Sequence, residues 1–409
     1  MGRSIIWIFL FIILFPLLLR GNNELSVSED IGIRINKDTV TYLCDNFMLD
    51  RYLTLADMLS EMPGFSVEED GSVKALGQPL TKIILEGTGY FFDDIALTVN
   101  NFPVSFIDKL VVFDRTTMRE TDLGVADLDA PEKKMNIILK KEALEKFRGI
   151  ANLGGGAVTS GDRFLYEGGL LIQRNEKGRN LTFLAKADNN MELKSQSTVL
   201  DIEPGDEGVL RIFESGMNYS IPKVGNHKYK FAGTYKSFLS EAERTATRQT
   251  FTQAISPILA KMAYNDTYDK DLLEIKAEIN KADRSKFYYE MTPSFIYSGV
   301  EADSYMDVHT EQDAMKQKSF KGKTFLNSQS FRHENNIYAY FKHLRNSRRI
   351  LLFNFRYYFE KGGSDKKEYS DLFDETDGID DLLNLYYKGN SKDYGFDSYI
   401  TYVEPLGKY

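Results

Sequence analysis

Residues 55–114 read LADMLSEMPGFSVEEDGSVKALGQPLTKIILEGTGYFFDDIALTVNNFPVSFIDKLVVFD. Leu55, Met58, Leu59 and Met62 recur at i, i+3, i+4 and i+7, which places them on one face of a helix. Thr54 with Asp57 three residues on makes a capping-box start, and Pro63-Gly64 makes a stop. Phe65 and Val67 then alternate, Asp70-Gly71 signals a hairpin, and Val73 and Ala75 continue the ladder. A turn at Gly77-Gln78-Pro79 leads into a short buried strand, Ile83-Ile84-Leu85. Asp93 or Asp94 caps a second helix ending near Asn100-Asn101, and Ile107 to Phe113 is the next strand.

Working outward, Ile31 to Tyr42 reads as a first strand and Met135 to Leu139 as a last one. Residues 31–145 therefore form one small α+β domain. Residues 22–30 look like a linker. Residues 1–21 look like a signal peptide, with Arg3 followed by an apolar run from Ile5 to Leu19. That run of about 15 residues is short of the roughly 20 needed to span a bilayer. No A-x-A pattern marks a cleavage site, so an uncleaved anchor is the competing reading.

From Arg148 the pattern changes to long segments of period two. Phe164, Tyr166, Gly168, Leu170 and Ile172 share a face, as do Leu181, Phe183, Ala185 and Ala187. Tyr229 to Tyr235, Leu273 to Ile279, Phe287 to Met291, Leu351 to Tyr357 and Tyr394 to Tyr402 repeat the pattern. Alternating segments of about ten residues, joined by polar turns and rich in aromatics, fit an antiparallel transmembrane β-barrel over residues 146–409. A soluble β-sandwich alternates too. The strand lengths exceed the roughly 5–6 residues usual in soluble sheets, and the secretory signal also favours the barrel. The polar runs from Val300 to Gly322 and from Ser364 to Asp381 read as solvated outer loops.

The chain has 409 residues, a formal charge of -9, and 13% aromatic residues. The acidic balance argues against nucleic acid as a partner. Cys44 is the single cysteine, so neither an intramolecular disulfide nor a cysteine zinc site can form. His227, His309, His333 and His343 show no metal-ligand spacing. Asp93-Asp94 is better read as a helix cap than as a catalytic dyad, and Glu86 to Gly89 as a tight turn, since no Gly-Lys-Ser follows. A calcium-loop alignment on Gly378 puts Phe373 and Asn384 at ligand positions and fails. No Gly-x-Ser-x-Gly is present. These residues supply no catalytic, cofactor or metal site, and an enzyme is the least supported class.

The order of elements in residues 55–114 resembles the plug domain of TonB-dependent outer-membrane receptors, in the form found in Bacteroidetes-type outer-membrane β-barrel proteins. The strand KKMNIILKK at 133–141, the glycine-rich GIANLGGGA after Arg148 and YVEPLG near the end extend the resemblance over nearly the whole mature chain. It implies a plug inside a barrel of 22 strands, outer loops that capture a small-molecule, glycan or peptide ligand, and gating by a TonB-type energy-coupling protein. A surface lipoprotein is a further implied partner, and outer-membrane lipid the surroundings. The glycines at 154–156 would lie close to the plug; a bulged strand is the structural alternative. Two features depart from the family: no carboxypeptidase-regulatory-like domain precedes the plug, and no coupling box stands between Gly21 and Leu53.

Size adds a constraint. A plug of about 120 residues is a globule some ~35 Å across. About 12 strands are countable after Arg148, against roughly 22 in plugged transporters. The barrel is therefore expected to be incomplete, the chain a truncated member, and a stable closed pore out of its reach. The resulting expectation is an outer-membrane receptor or transport protein without enzymatic activity. The alternatives are a structural or adhesive surface β-protein and a secreted soluble β-rich binding protein.

Overall fold

The computed structural model describes residues 32–36, 39–47, 54–68, 71–91, 94–115, 132–158, 163–176, 179–189, 209–250, 257–281, 286–312, 315–342, 349–374 and 378–404. The expected signal segment, the linker, Asp93 and several hairpin tips lie outside these residues.

Eight strands and two short helices make the N-terminal unit. Its strands are β1 (Ile33–Asn36), β2 (Thr39–Leu43), β3 (Phe65–Val67), β4 (Val73–Ala75), β5 (Gln78–Leu85), β6 (Thr88–Gly89), β7 (Ile107–Arg115) and β8 (Glu132–Leu139). They run in the order β1-β2-β7-β8-β5-β4-β3, with β6 against β5. The β5–β8 pair is parallel, because a helix and β7 intervene in the chain. The stretch expected as one first strand is instead the antiparallel pair β1–β2, with residues 37–38 between them.

Helix α1 (Leu55–Glu61) starts at the expected cap. The Asp57 amide donates to Thr54 Oγ1 at 3.3 Å, and the Thr54 amide donates to Asp57 Oδ2 at 2.9 Å. Its apolar face is buried, with Leu55, Met58 and Leu59 fully covered. Helix α2 (Ile95–Asn101) is capped by Asp94, whose Oδ1 accepts from the Leu97 amide at 2.9 Å. Gly71, beside the β3–β4 hairpin, has φ +78, and a Cβ there would lie 2.7 Å from the Ala96 Cβ. The hairpin and α2 pack this closely only because residue 71 has no side chain. Tyr42, Ile83, Leu85 and Ile107 complete the core.

The second sheet is fully antiparallel. It comprises β9 (Phe147–Val158), β10 (Arg163–Glu176), β11 (Arg179–Asp188), β12 (Val209–Val224), β13 (His227–Thr250), β14 (Ile258–Lys281), β15 (Phe287–Gln312), β16 (Met315–Lys342), β17 (Ile350–Asp374) and β18 (Ile379–Val403). Each strand pairs with its chain neighbour, and β9 and β18 are the edges. The fold is thus a small α+β unit followed by an antiparallel wall of the barrel type.

The described sheet has ten strands rather than about 12. Polar stretches that interrupt the apolar alternation continue strands already begun. Val300–Gly322 and Ser364–Asp381, expected as loops, lie mostly within β15–β16 and β17–β18, whose strands reach 28 residues. Tyr305, Val308, Thr310 and Phe320 keep strand-favouring side chains in the first of these runs, and an established ladder satisfies each added backbone group.

Two outcomes follow from the N-terminal core. Thr54→Ala should lower its stability by about 1 kcal/mol, read as a lower urea midpoint. Burial pushes the Cys44 thiol up to about 12, so it should resist thiol reagents at pH 8 until the chain is unfolded.

Candidate functional site

Antiparallel partners share a face, so the register sorts every side chain of the wall. One face carries the row Tyr229, Ile279, Met291, Ile337 and Phe355, and beside it Phe287, Phe341, Leu351 and Tyr402. Further along the same face lie Leu273, Tyr297 and Phe331. On β15 this belt runs from Phe287 to Tyr297. Eleven residues of tilted strand make a band about 25 Å tall, the height of the lipid-facing zone of outer-membrane barrels. Aromatics gather at both margins, with Phe287 stacked on Phe341 at 4.6 Å and Phe295 edge-on to Phe331 at 4.5 Å.

The opposite face is polar. Glu334 accepts from Arg356 Nε at 2.7 Å and from Arg332 Nη2 at 3.1 Å. Arg332 also reaches Glu360 at 3.3 Å and lies 5.2 Å from the Tyr358 ring centroid. Lys230 pairs with Glu278 at 2.7 Å, and Tyr288 donates to Glu290 at 2.6 Å.

The N-terminal unit sits against this polar face, and the contact is built around Tyr90 and Phe91. The Phe91 amide donates to Asn218 Oδ1 at 3.2 Å. Asn218 Nδ2 donates to Asn180 Oδ1 at 2.7 Å, and Asn180 Nδ2 donates to Asn175 Oδ1. Thr182 Oγ1 adds a bond to Asn180 at 3.2 Å. This amide ladder crosses β10, β11 and β12 and is buried throughout. Gly216 lies two residues from Asn218; a Cβ there would stand 2.9 Å from Phe91 Cε1, so the ring rests on bare backbone. Beside it, Lys236 links Asp94 at 3.5 Å with Glu214 at 3.9 Å. Leu171, Leu184 and Ala232 of the wall join the core of the N-terminal unit. Burial pushes the Tyr90 hydroxyl above its ordinary range, so it stays protonated. The Gln173 side-chain amide and the Ser220 hydroxyl, also buried, meet no partner among the described residues. The seat therefore has more hydrogen-bonding capacity than the N-terminal unit uses.

The structure gives the other singled-out residues plain roles. Asp94 caps α2 and reaches the wall. At the turn, Glu86 accepts from the Leu139 amide at 2.6 Å and the Gly87 amide donates to Asn136 at 3.2 Å. His333 bonds the Ser294 carbonyl at 2.9 Å and Tyr357 at 3.3 Å, and His309 pairs with Asp307 at 2.9 Å. The glycine-rich β9 pairs with β10 without a register shift. The buried cluster under the N-terminal unit draws on β10, β11 and β13 instead of β9. Among the described residues, no three His, Cys, Asp or Glu side chains come together as a metal site, and no helix is long and apolar enough to cross a membrane.

Sequence reading missed the amide ladder and Lys236. A signal was available: Gln173 and Asn175, Asn180 and Thr182, and Asn218 and Ser220 are polar pairs at i and i+2 on the face opposite the apolar belt.

No protein-family model matches the chain, and no curated protein matches it. Solved structures do. The ferric yersiniabactin uptake receptor FyuA from Yersinia pestis is 10% identical with a TM-score of 0.36, covering 90% of this chain and 61% of that one. The siderophore receptor PirA from Pseudomonas aeruginosa is 10% identical with a TM-score of 0.28, covering 90% and 87%. The copper transporter OprC is 10% identical with a TM-score of 0.29, covering 90% and 77%. This chain thus spans less than two thirds of the FyuA receptor. At such scores the matches decide nothing; the fold rests on the strand pairing.

Asn218→Ala leaves the buried Phe91 amide without an acceptor and should weaken docking of the N-terminal unit by about 1–3 kcal/mol. Limited proteolysis within residues 86–94 would report it as faster cleavage. Lys236→Ala, which removes the ion pair while leaving the Asp94 cap in place, should also speed this cleavage.

Proposed function

We propose that this chain is a TonB-dependent receptor-like protein of the outer membrane that binds or takes up a ligand and catalyses no reaction. Residues 1–21 serve as its signal peptide, 22–30 as a linker, 31–145 as the plug and 146–409 as the barrel wall. The observation that carries this reading is the division of faces. Ten strands present an apolar belt on one side and charges on the other, and the N-terminal unit is seated on the charged side. A soluble sandwich would bury the apolar face between two sheets; here Phe164, Phe183, Phe231, Phe396 and Ile400 stand exposed on it.

In lipid, the free edges of β9 and β18 would each leave a row of unpaired backbone groups, costly at several kcal/mol apiece. Further strands, from the same polypeptide or another, therefore complete the wall in the membrane. The polar lumen is the ligand route, and the seat at Phe91, Asn218, Asp94 and Lys236 holds the plug across it. A TonB-type coupling protein would act by pulling on the plug, and a surface lipoprotein would cap the lumen. The polar, charged lining suits a hydrophilic small molecule, glycan or peptide.

Fractionation of cells expressing the full chain tests the placement: it should be recovered with the outer membrane and resist extraction at high salt. Recovery in the soluble periplasmic or secreted fraction would overturn the reading.

A further inference from the structure

The apolar belt ends at the row Tyr235, Leu273, Tyr297 and Phe331. The next row on the same outward face is Asp271, Gly299, Gln329 and Gly363. Above it come Asp269, Glu301, Asn327 and Asp365, then Asp303, Phe325 and Lys367. Successive rows on one face are two residues apart, about 7 Å along a strand. The first of these rows accordingly lies in the polar headgroup layer, which adds roughly 5–8 Å on each side of the hydrocarbon core, and the two above it project roughly 10–15 Å beyond the belt.

Here the wall carries a cleft of about 730 Å³, within the range of roughly 300–1,000 Å³ of small-molecule sites. Its floor is low at Gly363, which brings no side chain to its row. Phe325 and Tyr369 meet edge-to-face at 6.2 Å, so their rings stand across one another. Lys323 Nζ stands over the Phe325 ring, 4.5 Å from its centroid, which leaves Tyr369 as the ring open to a ligand. Asn327 Nδ2 donates to Glu301 Oε1 at 2.8 Å, and the Tyr386 hydroxyl donates to Asp365 Oδ1 at 3.2 Å. Each of these contacts uses one of the roughly four acceptor sites of a carboxylate.

We propose that this cleft is a saccharide-binding site for neutral or amine-bearing sugars. The exposed Tyr369 ring takes the apolar C–H face of a pyranose. Carboxylates and amides set around it accept and donate to the hydroxyls, and an amine would pair with Glu301, Asp303 or Asp365. Glu301, Asp303 and Asp365 outnumber Lys367 and Lys323, so the cleft carries net negative charge and disfavours phosphate and sulfate. The same chemistry serves a free oligosaccharide or, at this height, an outer-leaflet glycolipid whose headgroup is itself an extended oligosaccharide. The lipid source rests on the membrane placement proposed above; binding of a free sugar does not.

Two measurements separate these possibilities. In detergent, the full chain is titrated with cellotriose, with the trimer of glucosamine and with glucose 6-phosphate. The first or second should bind and the phosphorylated sugar should not. Tyr369→Ala and Asp303→Asn, both at solvated positions, should each weaken binding at least tenfold, while circular dichroism stays unchanged. In nanodiscs, the chain should enrich a diacylglycerol carrying a neutral oligosaccharide headgroup long enough to reach this height, and Tyr369→Ala should abolish that enrichment. Free-sugar binding without enrichment assigns the soluble source and counts against the membrane-level one alone. The site itself is overturned by failure of both neutral and amine trimers to bind, by preference for the phosphorylated sugar, or by unchanged affinity in both variants.

Discussion

The constraint on which the rest of the structure depends is the pairing of backbone amides and carbonyls in antiparallel ladders between strands adjacent in the chain. From β12 through β18 every strand bonds its chain neighbours with few register shifts. Because side chains alternate strictly, a single register assigns all residues to one of two faces. A slip by one residue in any strand would carry Phe353 or Ile337 to the charged face and Glu334 or Arg356 to the apolar belt. The apolar belt and the ion-pair network on the opposite face therefore specify the same register independently.

The ladder also explains why the polar hairpins stay in strand well beyond the belt. Each residue added to a paired hairpin finds backbone partners already in place, so the requirement for apolar side chains lapses while the conformation persists. The projecting rows carry Asp, Glu, Lys and Tyr, with pairs such as Lys261–Glu311 at 3.1 Å and Ser304–Asp266 at 2.5 Å. Exposed pairs of this kind contribute little stability; they keep the extended edges soluble. The outward cleft arises where Gly363 interrupts these side chains above the belt.

Contact between the two units follows a different logic. The N-terminal core is a conventional apolar one, and it closes on the wall through Leu171, Leu184 and Ala232. Next to that patch the contact is made of amides and ions: Phe91 with Asn218, and Asp94 with Lys236. Apolar packing alone would be non-directional. The amide ladder from Asn175 to Asn218 supplies direction, since each group has one geometry in which it is satisfied. Gly216 then sets the depth at which the Phe91 ring can lie.

Residues 54–114 determined their own local structure almost completely: the Thr54 cap, the apolar stripe of α1, the turn at Gly71 and the Asp94 cap are all consequences of local spacing. The two-period alternation after Arg148 likewise determined that strands would form and which side chains would share a face. Strand length, the count of ten and the β1–β2 pair were not legible, because propensity in a polar segment is overridden once a neighbour supplies hydrogen bonds. The seat was equally hidden. Phe91 and Asn218 are 127 residues apart, and neither is unusual where it stands in the chain. Only the tertiary structure, by laying the β6–α2 connection across β11 and β12, decided that a backbone amide, a bare glycine and a buried asparagine would meet.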